Sequence, residues 1–511
     1  MIETNKTHNN SPEAEQLASG ATEATMGTEL SNGDMLNEMR DTILGRKPHK
    51  FIAIKNYPSG VREYTMSAPQ NLRMVVLYVI CAILSPYLTN FQFKYLYDLG
   101  PSALILHVIL EGAQGTGKSF AYRILERLLK PLQELDEQAR RKMQEYNDLK
   151  RKKQESGKNK KKKGDAQTEE HEMPEPPQDI TLFGENISVT QLMRICDASV
   201  KLYGRARVHL RFLDEIGALV KSAKSKFSDL TQITKLAYEL GKPYRQDYFC
   251  SESYCGSVDI IFSEVLCGTP GQVDKCFTKD RFEDGTVGRS ILAIIESHIG
   301  AAAPVFKPLT TEQEETLDQT LAKLMRLYIN DNGQMKDIIM LEAGSSDEKN
   351  DISWLNKHIH QWCEEMRILS SKTQSEAIYL LYKRTAVNAT RIALILYILW
   401  IVEGKYTEKQ IRSFVIKTFL AVADDILVTK LERWGMNFEE AACGDKKDKF
   451  KIIDIYDELP DRFTKDYLTV QLKHHEFAKD PRFVVRDWRA LGLLEPFKPG
   501  GESGVYVKIK K

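Results

Sequence analysis

The sequence predicts an α/β fold with a mainly parallel sheet, joined to a helical domain and a small terminal unit. Three observations predict it. An apolar run, "SALILHVILEG" (102–112), leads into the glycine-rich "AQGTGKS" and then into the helical pattern "SFAYRILERLLKPLQEL", which gives the order strand, loop, helix. Strand and helix patterns alternate from about 103 to 300, as a layered α/β domain requires. After Pro308 only helical periodicity remains, as far as about residue 440.

Residues 1–35 are small and polar, with no apolar signal core, and read as a disordered tail. Residues 36–100 read as an N-terminal helical segment, with an apolar helix around Met74–Leu84. The α/β domain covers 101–308. It contains a highly charged insertion at 140–178 that reads as a helical extension melting into a disordered loop, its Lys160–Lys163 run either a solvated surface or a nucleic-acid contact. "ITLFGENISVTQLMRICDA" reads as strand, turn and helix, and "RVHLRFLDEIGAL" as a strand ending in two acids. "GKPYRQDYF" with "GSVDIIFSEVLCGTP" predicts a hairpin and then a core strand; "GRSILAIIES" predicts one more strand. Residues 309–440 form a helical domain, and 445–511 a winged-helix-like unit of three helices and a two-stranded hairpin.

A chain of 511 residues suggests two to four domains, and 42% hydrophobic residues is globular composition. Lys+Arg number 72 and Asp+Glu 71, so no general basic field attracts nucleic acid and any such surface is local. The 8 cysteines form no C-x-x-C pair and no Cys/His cluster with zinc spacing, which excludes a zinc module and suits the reducing cytoplasm. The apolar runs "MVVLYVICAILSPYL" and "IALILYILWIV" fall short of the roughly 20 residues that cross a bilayer, so both read as buried helices with no membrane partner.

Gly112, Gly117, Lys118 and Ser119 match G-x-x-x-x-G-K-[ST]. The glycines allow a tight loop, Gly112–Ala113–Gln114–Gly115–Thr116–Gly117, whose backbone N–H groups converge on phosphate. Lys118 supplies a cation for β/γ-phosphates and Ser119 a hydroxyl ligand for Mg²⁺. The spacing therefore predicts a P-loop NTPase of RecA/AAA+-like plan that uses ATP and Mg²⁺. Asp214 and Glu215, at the end of an apolar strand, complete such a site: Asp214 towards the metal through water, Glu215 as general base. Thr269, in "VLCGTP", stands at the end of another core strand, where its hydroxyl serves either the attacking water or a structural turn. Arg289, just before "SILAII", is either a finger reaching a neighbouring subunit's site or a salt-bridged surface residue.

These motifs, with "FLDEIGAL", "KPYR", "LCGTP", "DGTVGRSILAI" and "NATRIALIL" in this order, resemble the helicase-like P-loop ATPases found beside or fused to primases in bacterial plasmids, phages and integrative elements. The resemblance covers roughly residues 65–400. That family is similar in plan to ring-forming AAA+ and superfamily 3 helicases, which implies a homo-oligomer of hexameric type acting on single-stranded or forked DNA. No primase domain is visible in the sequence, so priming, where it is needed, is expected from another protein. The resemblance also implies a pore-lining hairpin near "GKPYRQDYF". Lys242 and Arg245 then contact phosphate and Tyr244 and Tyr248 stack on bases, unless the hairpin packs on its own domain.

The terminal unit places Arg482, Arg486 and Arg489 on the outer side of its third helix, with Lys508, Lys510 and Lys511 beyond. That pattern suits a helix in the major groove, or a protein-docking or lid module. The expected activity is an ATP-dependent motor on DNA, a replicative helicase or its loader. A regulatory ATPase switch and a DNA-binding replication initiator are the rivals.

Overall fold

The computed structural model describes residues 43–161, 174–185, 187–222, 230–247, 254–297, 302–443, 453–477, 479–497 and 504–509. The strands, in chain order, are β1 (Phe91–Lys94), β2 (Pro101–Ala103), β3 (His107–Gly112), β4 (Leu182–Phe183), β5 (His209–Leu213), β6 (Tyr244–Asp247) and β7 (Cys255–Val258). Then follow β8 (Phe262–Gly268), β9 (Ile291–Ile295), β10 (Ile339–Leu341), β11 (Arg462–Thr464), β12 (Leu494–Pro496) and β13 (Val505–Lys508).

The centre is a five-stranded, all-parallel sheet in the order β4-β5-β8-β3-β9. Every residue of β3, β5 and β8 is buried, and helices cover both faces, which is why these strands read as apolar runs rather than as alternations. One row across the sheet breaks that rule. His107, Glu264 and Arg211 are register neighbours on β3, β8 and β5. Arg211 bonds Glu264 through Nε at 3.0 Å, and His107 Nδ1 lies 3.5 Å from the same carboxylate. Burial pulls the His107 imidazole down to about 4, so it is neutral at pH 7.

Helix Phe120–Lys161 leaves the glycine-rich loop, and helix Val189–Tyr203 follows β4. The latter is bounded as its sequence dictates: Ser188 accepts the Gln191 N–H at 3.2 Å, and Gly204 ends it at φ +72°. Helices Thr311–Tyr328, Ser353–Lys372, Glu376–Glu403 and Glu408–Cys443 form the helical part. One core runs through most of this, from Ile43 to Phe438, and a second, smaller cluster joins Phe183 of β4 to Val189 and Met193 of the helix that follows it and to Phe262 of β8. The expected borders near 100 and 308 therefore separate chain segments, not independent cores. A three-stranded sheet, β10-β1-β2, ties the N-terminal segment to the helical part.

Four expectations need correction. The insertion at 140–178 is not disordered throughout, because the loop helix continues for 42 residues to Lys161 and residues 174–178 are also placed. The run "SALILHVILEG" is not one strand, since Leu104–Leu106 break it between β2 and β3. The N-terminal segment is not wholly helical, because β1 lies within it. The length argument against membrane spanning also fails. Helices Gln70–Leu88 and Glu376–Glu403 have 19 and 28 residues and are apolar enough to cross a bilayer. What marks them as core helices is burial of 83% and 89% of their most apolar windows inside the protein. The 1–35 tail, Lys162, Lys163, Tyr248, Lys510 and Lys511 lie outside the described residues.

The terminal unit has helices Ile455–Glu458, Lys465–His474 and Pro481–Ala490 and an antiparallel sheet in the order β11-β13-β12. It has its own core around Trp488, Leu468 and Val484. The short strand β11 was not legible in the sequence.

Candidate functional site

After β3 the chain turns sharply: Thr116 donates through Oγ1 to the Ala113 carbonyl at 2.8 Å, and the next helix starts at Phe120. Two glycines have a positive φ, Gly115 at +82° and Gly117 at +79°. At Gly112 the constraint is space, since a Cβ there would stand 2.6 Å from Thr116 Oγ1. Ala113, Gln114, Gly115 and Ser119 are exposed. Lys118 folds back over the loop, and its Nζ donates to the carbonyls of Gly112 (2.7 Å) and Ala113 (2.9 Å). Burial pulls the Lys118 pKa down, opposed by the Cys267 thiol and the Asp214 carboxylate.

Strand register brings the remaining pieces to the same edge. Leu213 pairs with Leu266, and Leu110 and Glu111 pair with Cys267 and Gly268. The residues that follow these pairs therefore leave the sheet together at its carboxyl edge: the loop from β3, Thr269 from β8, and Asp214 and Glu215 from β5. β8 lies between the loop strand and the acid strand, so Thr269 stands between the two functional ends. Asp214 and Glu215 are exposed. The acid turn is fastened by the Ile216 N–H donating to the Cys267 carbonyl at 2.7 Å. Thr269 is also structural. It caps helix Pro270–Cys276, and its hydroxyl donates to Gln272 Oε1 at 3.3 Å.

Two further features of this edge were invisible in the motifs. A cavity of about 600 Å³ adjoins the loop, lined among others by Asn71, Leu72, Gln114, Thr116, Glu296 and Pro304. Arg433, from the last long helix, reaches across to bond Glu111 (2.9 Å), the residue before Gly112, and Asp274 (2.6 Å).

Arg289 is placed elsewhere. It precedes β9, whose first residue pairs with Val108, so it sits at the amino edge, opposite the loop. Its guanidinium is bonded to Glu239 (2.8 Å) and to the Gly285 carbonyl (3.0 Å). Lys242 bonds the other oxygen of the same Glu239. Two residues expected to serve different ligands thus share one carboxylate. The hairpin is present as β6 and β7, with Arg245 opposite Ser257. Tyr244 packs against the cluster that includes Phe183 and Met193, and the hairpin tip, 248–253, lies outside the described residues.

In the terminal unit Arg482, Arg486 and Arg489 line an open groove of about 600 Å³ together with Lys465 and Tyr506. Arg482 also pairs with Asp480 (2.6 Å) and Arg486 with Asp487 (2.9 Å).

No protein-family model matches the chain, and no characterised protein matches it. The family resemblance rests on the motifs and their order. The described residues contain no cluster of three or more His, Cys, Asp or Glu side chains able to hold a metal ion alone. The residues at the carboxyl edge do fit a magnesium nucleotide: a loop too tight for a Cβ at Gly112, a lysine turned towards it, an exposed hydroxyl at Ser119 and two exposed acids beside it.

Proposed function

We propose that the chain is a P-loop NTPase of RecA/AAA+-like plan that hydrolyses ATP at the carboxyl edge of its sheet and acts on single-stranded DNA as an oligomer. One observation carries this reading: the register of β5, β8 and β3 gathers Lys118, Asp214, Glu215 and Thr269 at one edge. The loop N–H groups and Lys118 bind the phosphates, and the cavity beside Gln114 and Asn71 receives the base and sugar. Ser119 and, through water, Asp214 would hold Mg²⁺, which when bound neutralises charge on the transferred phosphoryl group. Glu215 takes the proton from the attacking water. The resemblance to primase-associated ATPases of mobile elements supports a replicative helicase or helicase loader.

The test is ATP turnover with and without single-stranded DNA, alongside mass measurement with and without ATP. Lys118→Ala is expected to lose nucleotide binding. Glu215→Gln is expected to keep binding while turnover falls by about 10²-fold or more, an order-of-magnitude figure for loss of a general base. Normal turnover in Glu215→Gln would sink the assignment. A DNA-binding initiator is the second reading, favoured by the basic groove of the terminal unit. A sequence-specific footprint without DNA-stimulated turnover would select it.

A further inference from the structure

Tyr238 lies buried at the amino edge of the parallel sheet, edge-on to His107 with ring centroids 5.6 Å apart. Three guanidinium groups approach this one ring: Arg391 at 3.9 Å, Arg289 at 5.9 Å and Arg384 at 6.0 Å. Lys242 adds a fourth cation. The carboxylate bonded among them is Glu239, whose Oε1 takes Arg289 at 2.8 Å and lies 4.0 Å from Arg384, while Oε2 takes Lys242. Asp98 acts on Arg391 from further away. Even with both acids counted, cations outnumber anions by four to two.

The arrangement is built. Arg384, Asn388 and Arg391 follow at i, i+4 and i+7 on helix Glu376–Glu403, which places them on one face. Asn388 accepts from the Tyr238 hydroxyl (2.8 Å) and donates to the Arg289 carbonyl (3.0 Å), and Arg391 donates to the Tyr238 carbonyl (3.0 Å). Yet Arg391, only 1% exposed, leaves Nε and Nη1 without a hydrogen-bond partner among the described residues, as does Arg289 at Nε. Buried cations with unmet donors are costly unless an anion completes the site. The rim is open to one, because the side chains of Arg384 and Lys242 are 40% and 61% exposed. The chain's own loop cannot deliver it, since the length of β3 separates the two edges.

We propose that Arg289, Arg384, Arg391 and Lys242 form a second phosphate-binding site, remote from the glycine-rich loop, in which Glu239 holds the phosphate's place until one arrives. Burial pushes the Glu239 carboxyl up, but hydrogen bonds from Lys242 and Arg289 outweigh it and hold it at about 2, so the placeholder is an anion at neutral pH. An entering phosphate accepts from the rim cations and releases Glu239 to water, with Arg391 and Tyr238 as the floor. The phosphate is either free or carried on a nucleotide held by a second copy of this chain. Only the latter source rests on the function proposed above.

The probe is pyrophosphate, titrated calorimetrically into full-length Lys118→Ala, which removes loop binding. Binding is expected to remain, to weaken on the order of tenfold or more on adding Arg384→Ala, and to tighten by a similar factor on adding Glu239→Gln. The two changes have opposite signs, so misfolding cannot imitate them. Affinity unmoved by either substitution overturns the site. To separate the sources, a Lys118→Ala chain is mixed with an Arg384→Ala chain. Association that appears only with ATP identifies a phosphate presented by the second copy. Pyrophosphate binding with no such association identifies free phosphate. If instead Lys118→Ala leaves wild-type nucleotide binding unchanged, the loop assignment fails, while the Arg384 and Glu239 comparisons still report on this cluster.

Discussion

Asp424 carries a full charge inside the helical bundle, with its side chain 1% exposed. Arg46 bonds both carboxylate oxygens (2.8 and 2.9 Å), His49 donates its backbone N–H (2.8 Å), and Trp362 donates its indole N–H (2.8 Å). Burial pushes this carboxyl up, and hydrogen bonds from His49, Arg46 and Trp362 outweigh burial, leaving it at about 2. The folded value lies below the unfolded value of about 3.9. The stabilisation is therefore complete above pH ~4 and is lost as pH falls through about 2. Asp424→Ala is expected to destabilise by about 1–3 kcal/mol at neutral pH, because it removes the hydrogen bonds from Arg46 and His49 and leaves the buried Trp362 indole N–H without its acceptor. The gap to wild type should narrow between pH ~4 and pH ~2 in urea unfolding. A gap independent of pH would show that the charge contributes nothing.

At the scale of the element, helix Glu408–Cys443 joins distant parts of the fold. Three residues apart, Lys430 donates to the Gly288 carbonyl (3.0 Å) and Arg433 bonds Glu111, so one rigid segment touches the turn that carries Arg289 and the base of the glycine-rich loop. Burial alone pulls the Lys430 amine down to about 7. The unfolded lysine, near about 10.4, binds more protons between those values, so this group's penalty is full below pH ~7 and fades as pH rises towards ~10. Lys430→Met is expected to be more stable than wild type at neutral pH, on the order of a few kcal/mol less about 1 kcal/mol for the lost carbonyl bond. Its advantage should shrink towards pH ~10, which paired denaturant titrations would read; an advantage that grew instead would refute the burial account. Nothing in the local sequence signals either contact. "VTKLERWG" is an ordinary helical stretch, and the partners lie 142 and 322 residues away along the chain. The loop was legible for the opposite reason, because its glycines, lysine and flanking strand lie within one short window.

At the scale of the whole molecule, parallel strands buried on both faces announce themselves as apolar runs, and β3, β5, β8 and β9 were read that way. The borders were not legible, because composition changes along the chain while one core continues from Ile43 to Phe438. The terminal unit has a core of its own, and it docks through the Trp488 indole on the Ser371 carbonyl (2.8 Å) and through Lys479 on Glu376 (2.6 Å). Its basic groove predicts phosphate contacts. Changing Arg486 and Arg489 to alanine is expected to weaken duplex DNA binding across sequences and to reduce the slope of log K against log salt by about 1 per lost contact. Turnover without DNA should stay as in wild type. An unchanged salt slope would exclude the groove as the contact surface.

The loop helix has a mechanical consequence. A helix of 42 residues is about 63 Å long, and it begins at the glycine-rich loop. Asp136 ties its first part to the sheet by accepting from Thr181 and Leu182 (2.7 and 3.0 Å), while positions 147–152 are exposed. It is therefore geared like a pointer: a tilt of one degree at the loop displaces its far end by about 1 Å. Were a phosphate bound at the loop as proposed, small adjustments around it would become displacements at the far end of the helix.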